Sequence, residues 1–238
     1  MLSFKLRGWN AYTPGLESAK SWKDWLYNQH KLPTDSAKPG LKNIPVMLRR
    51  RFTAIGKYSV EAATPLLKED EQIPLVFASR HGDVDLTLSL LKSIADNEPL
   101  SPTNFSLAVH NAISGLFSIA RKDRRETTAI SATENLIPFA LLEAATQLQE
   151  SKHVLCIICE SVLPDLYKPF ASSPPFTYAI AMVLSREEGD TFYLNNTHVK
   201  NTTQSTKNEF EELMALLLSQ SDCARFPSTK HIEWSIHR

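Results

Sequence analysis

The sequence predicts an α/β protein whose central, mixed and mostly parallel sheet is covered by helices on both faces. Three observations carry this. Short apolar runs alternate along the chain with amphipathic helical stretches, the order a layered α/β fold requires. "HVLCIICES" and "TYAIAMVLSRE" are apolar nearly throughout, as strands covered on both faces are. Of the 238 residues, 42% are hydrophobic and 22% charged, the balance of a chain that buries a core.

The elements follow in order. "SFKLRGWNAY" alternates apolar and polar positions and reads as a first strand, ended by "TPG". "SAKSWKDWLYNQH" places Trp22, Trp25 and Leu26 at helical spacing, with Ser21 as the expected cap. From Leu32 to Ile44 a Pro- and Gly-containing loop is expected, then a helix in two pieces divided around Gly56. "IPLVFAS" is a buried strand, and "DVDLTLSLLKSIADNEP" an amphipathic helix. The stretch 103–120, "TNFSLAVHNAISGLFSIA", reads as one helix, apolar nearly all round and therefore buried. "TTAISA" is a short strand, and "NLIPFALLEAATQLQES" a helix with Pro138 tolerated in its first turn. "DTFYLNN" reads as an edge strand, 195–208 as a solvated loop, "NEFEELMALLLSQ" as a late helix and "HIEWSIH" as a closing strand. No repeat divides the chain, and 1–238 is read as a single domain.

Lys plus Arg and Asp plus Glu both number 26, so no global charge favours nucleic acid or an anionic membrane. Three cysteines, at 156, 159 and 223, argue against a disulfide framework and suit a reducing compartment. No apolar leader and no run approaching ~18 apolar residues is visible, so a cytoplasmic setting without a membrane span is expected.

Most local motifs have modest readings. Cys156 and Cys159 have the spacing of a redox or zinc pair but sit in a strand. Their side chains should therefore point to opposite faces as small core residues. His81, Asp83 and Asp85 in "RHGDVD" resemble metal ligands but lack a completing set, and an aspartate there serves equally as a helix cap. No metal is expected. The run Arg49–Arg51 is either a solvated helix face or a contact for an acidic partner such as a carrier protein. No Gly-rich phosphate loop and no G-x-S-x-G elbow is present.

The stretch 103–120 is less ordinary. Ser106, His110, Ser114 and Ser118 recur every four residues and form a polar stripe on an apolar helix, flanked by Asn104 and Asn111. Buried polar groups need partners. They are satisfied inside the chain, across a subunit interface, or along a tunnel.

"SPTNFSLAVHNAISGLFSIARKDRRETTAISATENLIPFALLEAA" (101–145) resembles the central stretch of β-ketoacyl synthases. There a Ser-Pro, an aromatic, an Asn before a Gly-containing helix and a Ser-Ile lead into the strand that delivers the catalytic cysteine to a helix N-terminus. "PVMLRRRFTAIGKYSVEAA" and "PLVFASRHGDVDLTLSLL" resemble earlier elements of the family. The resemblance runs from about residue 45 to 185 and is nearest to short, N-terminal-half proteins of bacterial aryl polyene pathways. It implies half of a thiolase-like fold.

Matched without gaps from Gly115, the family's nucleophile position falls on Glu134, and neighbouring registers place Ala132 or Thr133 there. None is cysteine, and a carboxylate cannot carry the acyl chain as a thioester. The family's two catalytic histidines belong to a second half, and His198, His231 and His237 lack its Gly-rich surroundings. The resemblance thus implies a non-catalytic, chain-length-factor-like subunit, without a cofactor. It would form a heterodimer with a complete ketosynthase and meet acyl carrier protein through that complex. Phe105, Ser106, Leu107, His110, Asn111, Ser114, Phe117 and Phe139 would line the partner interface or the acyl tunnel, and Arg49, Arg50 and Arg51 would contact the carrier protein. Glu134, at a helix N-terminus, would be favoured by the dipole and pair with a basic group of the partner. Two alternatives stand beside this: a malonyl decarboxylase or thioesterase-like enzyme using Glu134 or His110, and a scaffold that holds carrier proteins.

Overall fold

The computed structural model describes residues 1–28, 32, 39–199, 208–226 and 231–238. Parts of the expected loops at 32–44 and 195–208 lie outside these residues.

The first strand, β1 (Leu2–Tyr12), leads into α1 (Ala19–Tyr27). The helix starts at Ser18 rather than Ser21. The Ser18 side chain accepts the Ser21 N–H while Ser21 Oγ accepts the Ser18 N–H at 3.0 Å, a reciprocal capping box. Next come α2 (Val46–Arg49) and α3 (Ala54–Ala63). The break falls at 50–53 and not at Gly56, which sits inside α3 where a Cβ would lie 3.0 Å from the Phe52 ring. Small size, not flexibility, is what that position uses.

β2 (Leu75–Ala78) and α4 (Val84–Ala95) follow, the helix capped by Asp83, whose carboxylate accepts the Leu86 N–H at 3.1 Å. The helix expected over 103–120 is two: α5 (Pro102–Leu107) and α6 (Ala112–Arg121). It is also not buried all round, since α5 lies on the surface. The break at 108–111 turns His110 toward β2. The chain continues through β3 (Thr127–Ile130), α7 (Leu136–Gln147), β4 (His153–Glu160) and β5 (Tyr178–Ser185). It ends with β6 (Asp190–His198), α8 (Glu209–Leu217), β7 (Cys223–Phe226) and β8 (Ile232–His237).

All the described strands join one sheet in the order β3-β2-β4-β5-β1-β6-β8-β7. Only β2 pairs in parallel, with β3 and β4; the other pairings are antiparallel. The expectation of a mostly parallel sheet is corrected accordingly. Full burial makes β4 and β5 apolar throughout whether the ladder is parallel or antiparallel, so composition alone does not fix direction. β6 is interior, paired to β1 and β8, and it absorbs Asn195–His198 from the stretch expected as loop.

Helices cover both faces. On one, α7, α8 and α1 pack Leu136, Ile137, Leu141, Leu213 and Trp22 against Val76, Cys156 and Ile180. On the other, α3 and α6 pack Ile55, Val60, Ile113, Leu116 and Phe117 against Phe77, Ile157 and Cys159. Strand alternation therefore sends Cys156 and Cys159 to opposite cores. Burial pushes the Cys159 thiol up to about 12, so neither cysteine is poised as a thiolate.

The β5–β6 turn depends on Gly189, at φ +100°, where a Cβ would stand 1.9 Å from the Leu6 carbonyl oxygen. Gly189→Ala is expected to lower stability by more than about 2 kcal/mol, from backbone strain plus the clash. Thermal unfolding measures it, and a loss below about 0.5 kcal/mol would mean that the turn relaxes freely.

Candidate functional site at the carboxyl ends of the parallel strands

Parallel registry brings the carboxyl ends of β2, β3 and β4 to one edge, where α/β sheets place their sites. Arg80 follows β2, Ser131 follows β3, and Glu160 ends β4. Ser131 Oγ donates to the Arg80 carbonyl at 2.8 Å, tying two of the loops together. The Arg80 N–H donates to Glu160 Oε1 at 2.8 Å, and its Nε stands 3.2 Å from Oε2 as an ion pair whose N–H is not aimed at the oxygen. Arg80 Nη2 donates to Glu209 Oε1 at 3.2 Å.

Burial raises the Glu160 carboxyl above the usual carboxylate range. The Arg80 guanidinium opposes this, and the Glu209 carboxylate adds to it. Tyr178, stacked on Phe210 with centroids 3.9 Å apart, is likewise held well above the usual phenol range by burial. These groups line a cleft of about 290 Å³ that Asn208 and Arg225 also border.

The loop from β3 to α7, 131–135, passes through Asn135 in the left-handed conformation, φ 57°, and enters α7. Asn135 tolerates that geometry better than most residues. The Asn135 side chain makes no capping hydrogen bond. The acceptor is Glu209, from α8: its Oε1 takes the Asn135 N–H at 2.9 Å and its Oε2 the Ile137 N–H at 3.1 Å. Glu209 is thus an anion on the α7 N-terminus that the sequence did not announce. Glu134 itself is half-buried one residue before the cap.

The polar stripe does not exist as a line, because the break at 108–111 ends the helical register. Its hydroxyls are satisfied locally: Ser106 Oγ donates to the Thr103 carbonyl at 2.8 Å, Ser114 Oγ to Asn111 at 2.9 Å and Ser118 Oγ to Gly115 at 2.9 Å. His110 Nε2 lies 3.0 Å from the Ser79 carbonyl, which only accepts, so that nitrogen carries a proton. Its ring edge packs on Phe77. Asn111 occupies the N-cap position of α6 with its side chain exposed.

The apolar candidates separate into two groups. Phe117 is core, and Leu107 packs partly against that core. Phe105 is 63% exposed, and Val109, Ile119, Leu91 and Ile94 are also exposed on α4, α6 and the α5–α6 junction. Phe139 packs edge-on against Trp234 of β8 while keeping part of its ring in solvent. β3 packs beside α6, and its outer edge has no strand neighbour among the described residues. Of the arginine run, Arg49 bends back to donate to the Ile44 carbonyl at 3.0 Å, which leaves Arg50 and Arg51 exposed beside Met47. Among the described residues no group of three or more His, Cys, Asp or Glu side chains is placed to hold a metal, and no helix is long and apolar enough to cross a membrane. His81 Nε2 approaches the Ser172 carbonyl at 3.0 Å, and Asp83 serves as the cap described above.

Sequence reasoning missed Arg80, Glu160 and Glu209. The available signal was a charge standing at the carboxyl end of two apolar strands, "FASR" and "IICE".

A sheet of this order with helices on both faces is half of a thiolase-like fold. The chain belongs to the β-ketoacyl synthase N-terminal domain family, whose profile matches residues 22–238. Among solved structures it is similar to a chain of the complex of the ketosynthase ApeO with its chain length factor ApeC from Xenorhabdus doucetiae. That match has 24% identity and a TM-score of 0.84, and covers 100% of both chains. The ishigamide ketosynthase/chain length factor matches at 11% identity and TM-score 0.61, over 79% of this chain and 63% of the other. A type II acyl-carrier protein–ketosynthase complex, AntDE:AntF, matches at 16% and 0.58, over 93% of this chain and 75% of the other. At these identities the likeness is one of fold. Among curated proteins none matches the chain.

Proposed function

We propose that this chain is a non-catalytic subunit of the chain-length-factor type. It pairs with a complete ketosynthase and shapes the tunnel in which that partner extends a carrier-bound acyl chain of aryl polyene or fatty-acid type. The observation that carries the reading is the end-to-end correspondence, in both directions, with a chain of a ketosynthase–chain length factor complex. The longer neighbours are matched over only 63% and 75% of their length.

Two features of the site support it. Matched without gaps from Gly115, the family's cysteine falls on Glu134, or on Ala132 or Thr133 in neighbouring registers, and none offers a thiolate for thioester chemistry. The outer edge of β3, without a strand neighbour among the described residues, and the exposed Phe105, Val109 and Ile119 are the kind of surface a folded chain keeps only when something covers it. A ketosynthase with an equivalent edge would continue the sheet across the interface. Arg50 and Arg51 remain the carrier-protein contact, with Arg49 bracing the turn beneath them. Co-expression with ketosynthases and native mass of the captured species tests the reading. A one-to-one complex is expected, and a monomer or homodimer that captures no ketosynthase would overturn it.

A further inference from the structure

The α7 N-terminus is already occupied. Its first-turn amides would ordinarily stabilise a thiolate or a developing oxyanion at the residue leading into the helix. Here both Asn135 and Ile137 donate to a single carboxylate, Glu209, which arrives from 74 and 72 residues further along the chain. Arg80 holds that carboxylate in place from the other side and is itself anchored on the buried Glu160.

We propose that Glu209 is an internal anion that keeps this chain's own nucleophile position electrostatically silent. It occupies the amides that a catalytic member would reserve for the reacting group, and it fixes the start of α8 over the crevice. The chain is then inert for two independent reasons, the missing cysteine and the filled anion site, and restoring one does not restore the other. This inference rests on the reading of residue 134 as the nucleophile position.

The test uses the full chain carrying Glu134→Cys. The pKa of the introduced thiol is read from the pH dependence of iodoacetamide alkylation, resolved by peptide mass so that Cys156, Cys159 and Cys223 do not contribute. With Glu209 intact the thiol should titrate at or above the ordinary value of about 8.5. Adding Glu209→Gln should lower it by about one unit and raise alkylation at pH 7 about five- to tenfold. Glu209→Asp, which keeps the charge, should leave it near the ordinary value. A variant that merely loosened the loop would change access without this split between Gln and Asp. A thiol already titrating below about 7 with Glu209 intact, or one unmoved by Glu209→Gln, would overturn the proposal. Ketosynthase capture by the unsubstituted chain is scored separately. Its failure would sink the subunit reading while leaving the thiol result to judge the anion site.

Discussion

Arg80→Ala should cost the folded chain about 3 kcal/mol at neutral pH, near the lower end of what breaking a buried ion pair costs. The lower end is expected because the backbone N–H at position 80 still donates to Glu160 Oε1. The loss has a definite pH dependence. Burial holds the Glu160 carboxyl above its ordinary value, with Arg80 the first influence opposing it. A carboxyl raised in this way contributes stability in full below its unfolded value, and that contribution is lost as pH rises through the folded value. Removing the guanidinium moves the folded value higher still, so the deficit is largest near pH 7.5 and shrinks toward pH 5. Urea unfolding at the two pH values measures it, and Glu160→Gln in the Arg80→Ala background should recover much of the loss. An equal deficit at both pH values would show that Glu160 is not the group left exposed to the change.

The second large effect is on assembly. Phe105→Asp combined with Ile119→Asp should leave the chain's own stability within about 1 kcal/mol, because both side chains are 60% or more exposed. Ketosynthase affinity should fall at least about 100-fold if these residues are central anchors of an apolar interface. Phe117 would be a misleading choice for this experiment. It is buried against Phe77 and Leu155 in the core, and truncating it would unfold the chain without reporting on any partner. Retained affinity in the double aspartate variant would remove α5 and α6 from the interface.

Much of the fold is legible in the sequence, and particular residues show where legibility ends. Cys156 and Cys159 were readable as core from strand alternation alone, because burial on two faces and a three-residue offset leave no other arrangement. Strand direction was not readable in β4 and β5, since an apolar run of eight residues suits either ladder. The stretch 103–120 carries apolar residues at helical spacing through its whole length, and nothing local marks the break. The geometry at the break comes from a tertiary contact, His110 to the carbonyl of Ser79. The site divides in the same way. Glu134 was located by counting from Gly115, a local operation. The Arg80–Glu160–Glu209 network joins the ends of two strands to a helix more than a hundred residues away from Arg80, and such a contact has no signature until the topology is known. The serines illustrate the converse: their spacing suggested a shared stripe, whereas each donates to the carbonyl three residues earlier.

We infer that the outer edge of β3 and the exposed apolar residues of α5 and α6 form one half of a pseudo-symmetric interface with a complete ketosynthase. Native mass spectrometry of the chain co-expressed and co-purified with complete ketosynthases is the decisive measurement. A one-to-one complex is expected, and the Phe105→Asp/Ile119→Asp variant should fail to form it. A stable monomer or homodimer, with the ketosynthase recovered separately, would contradict it.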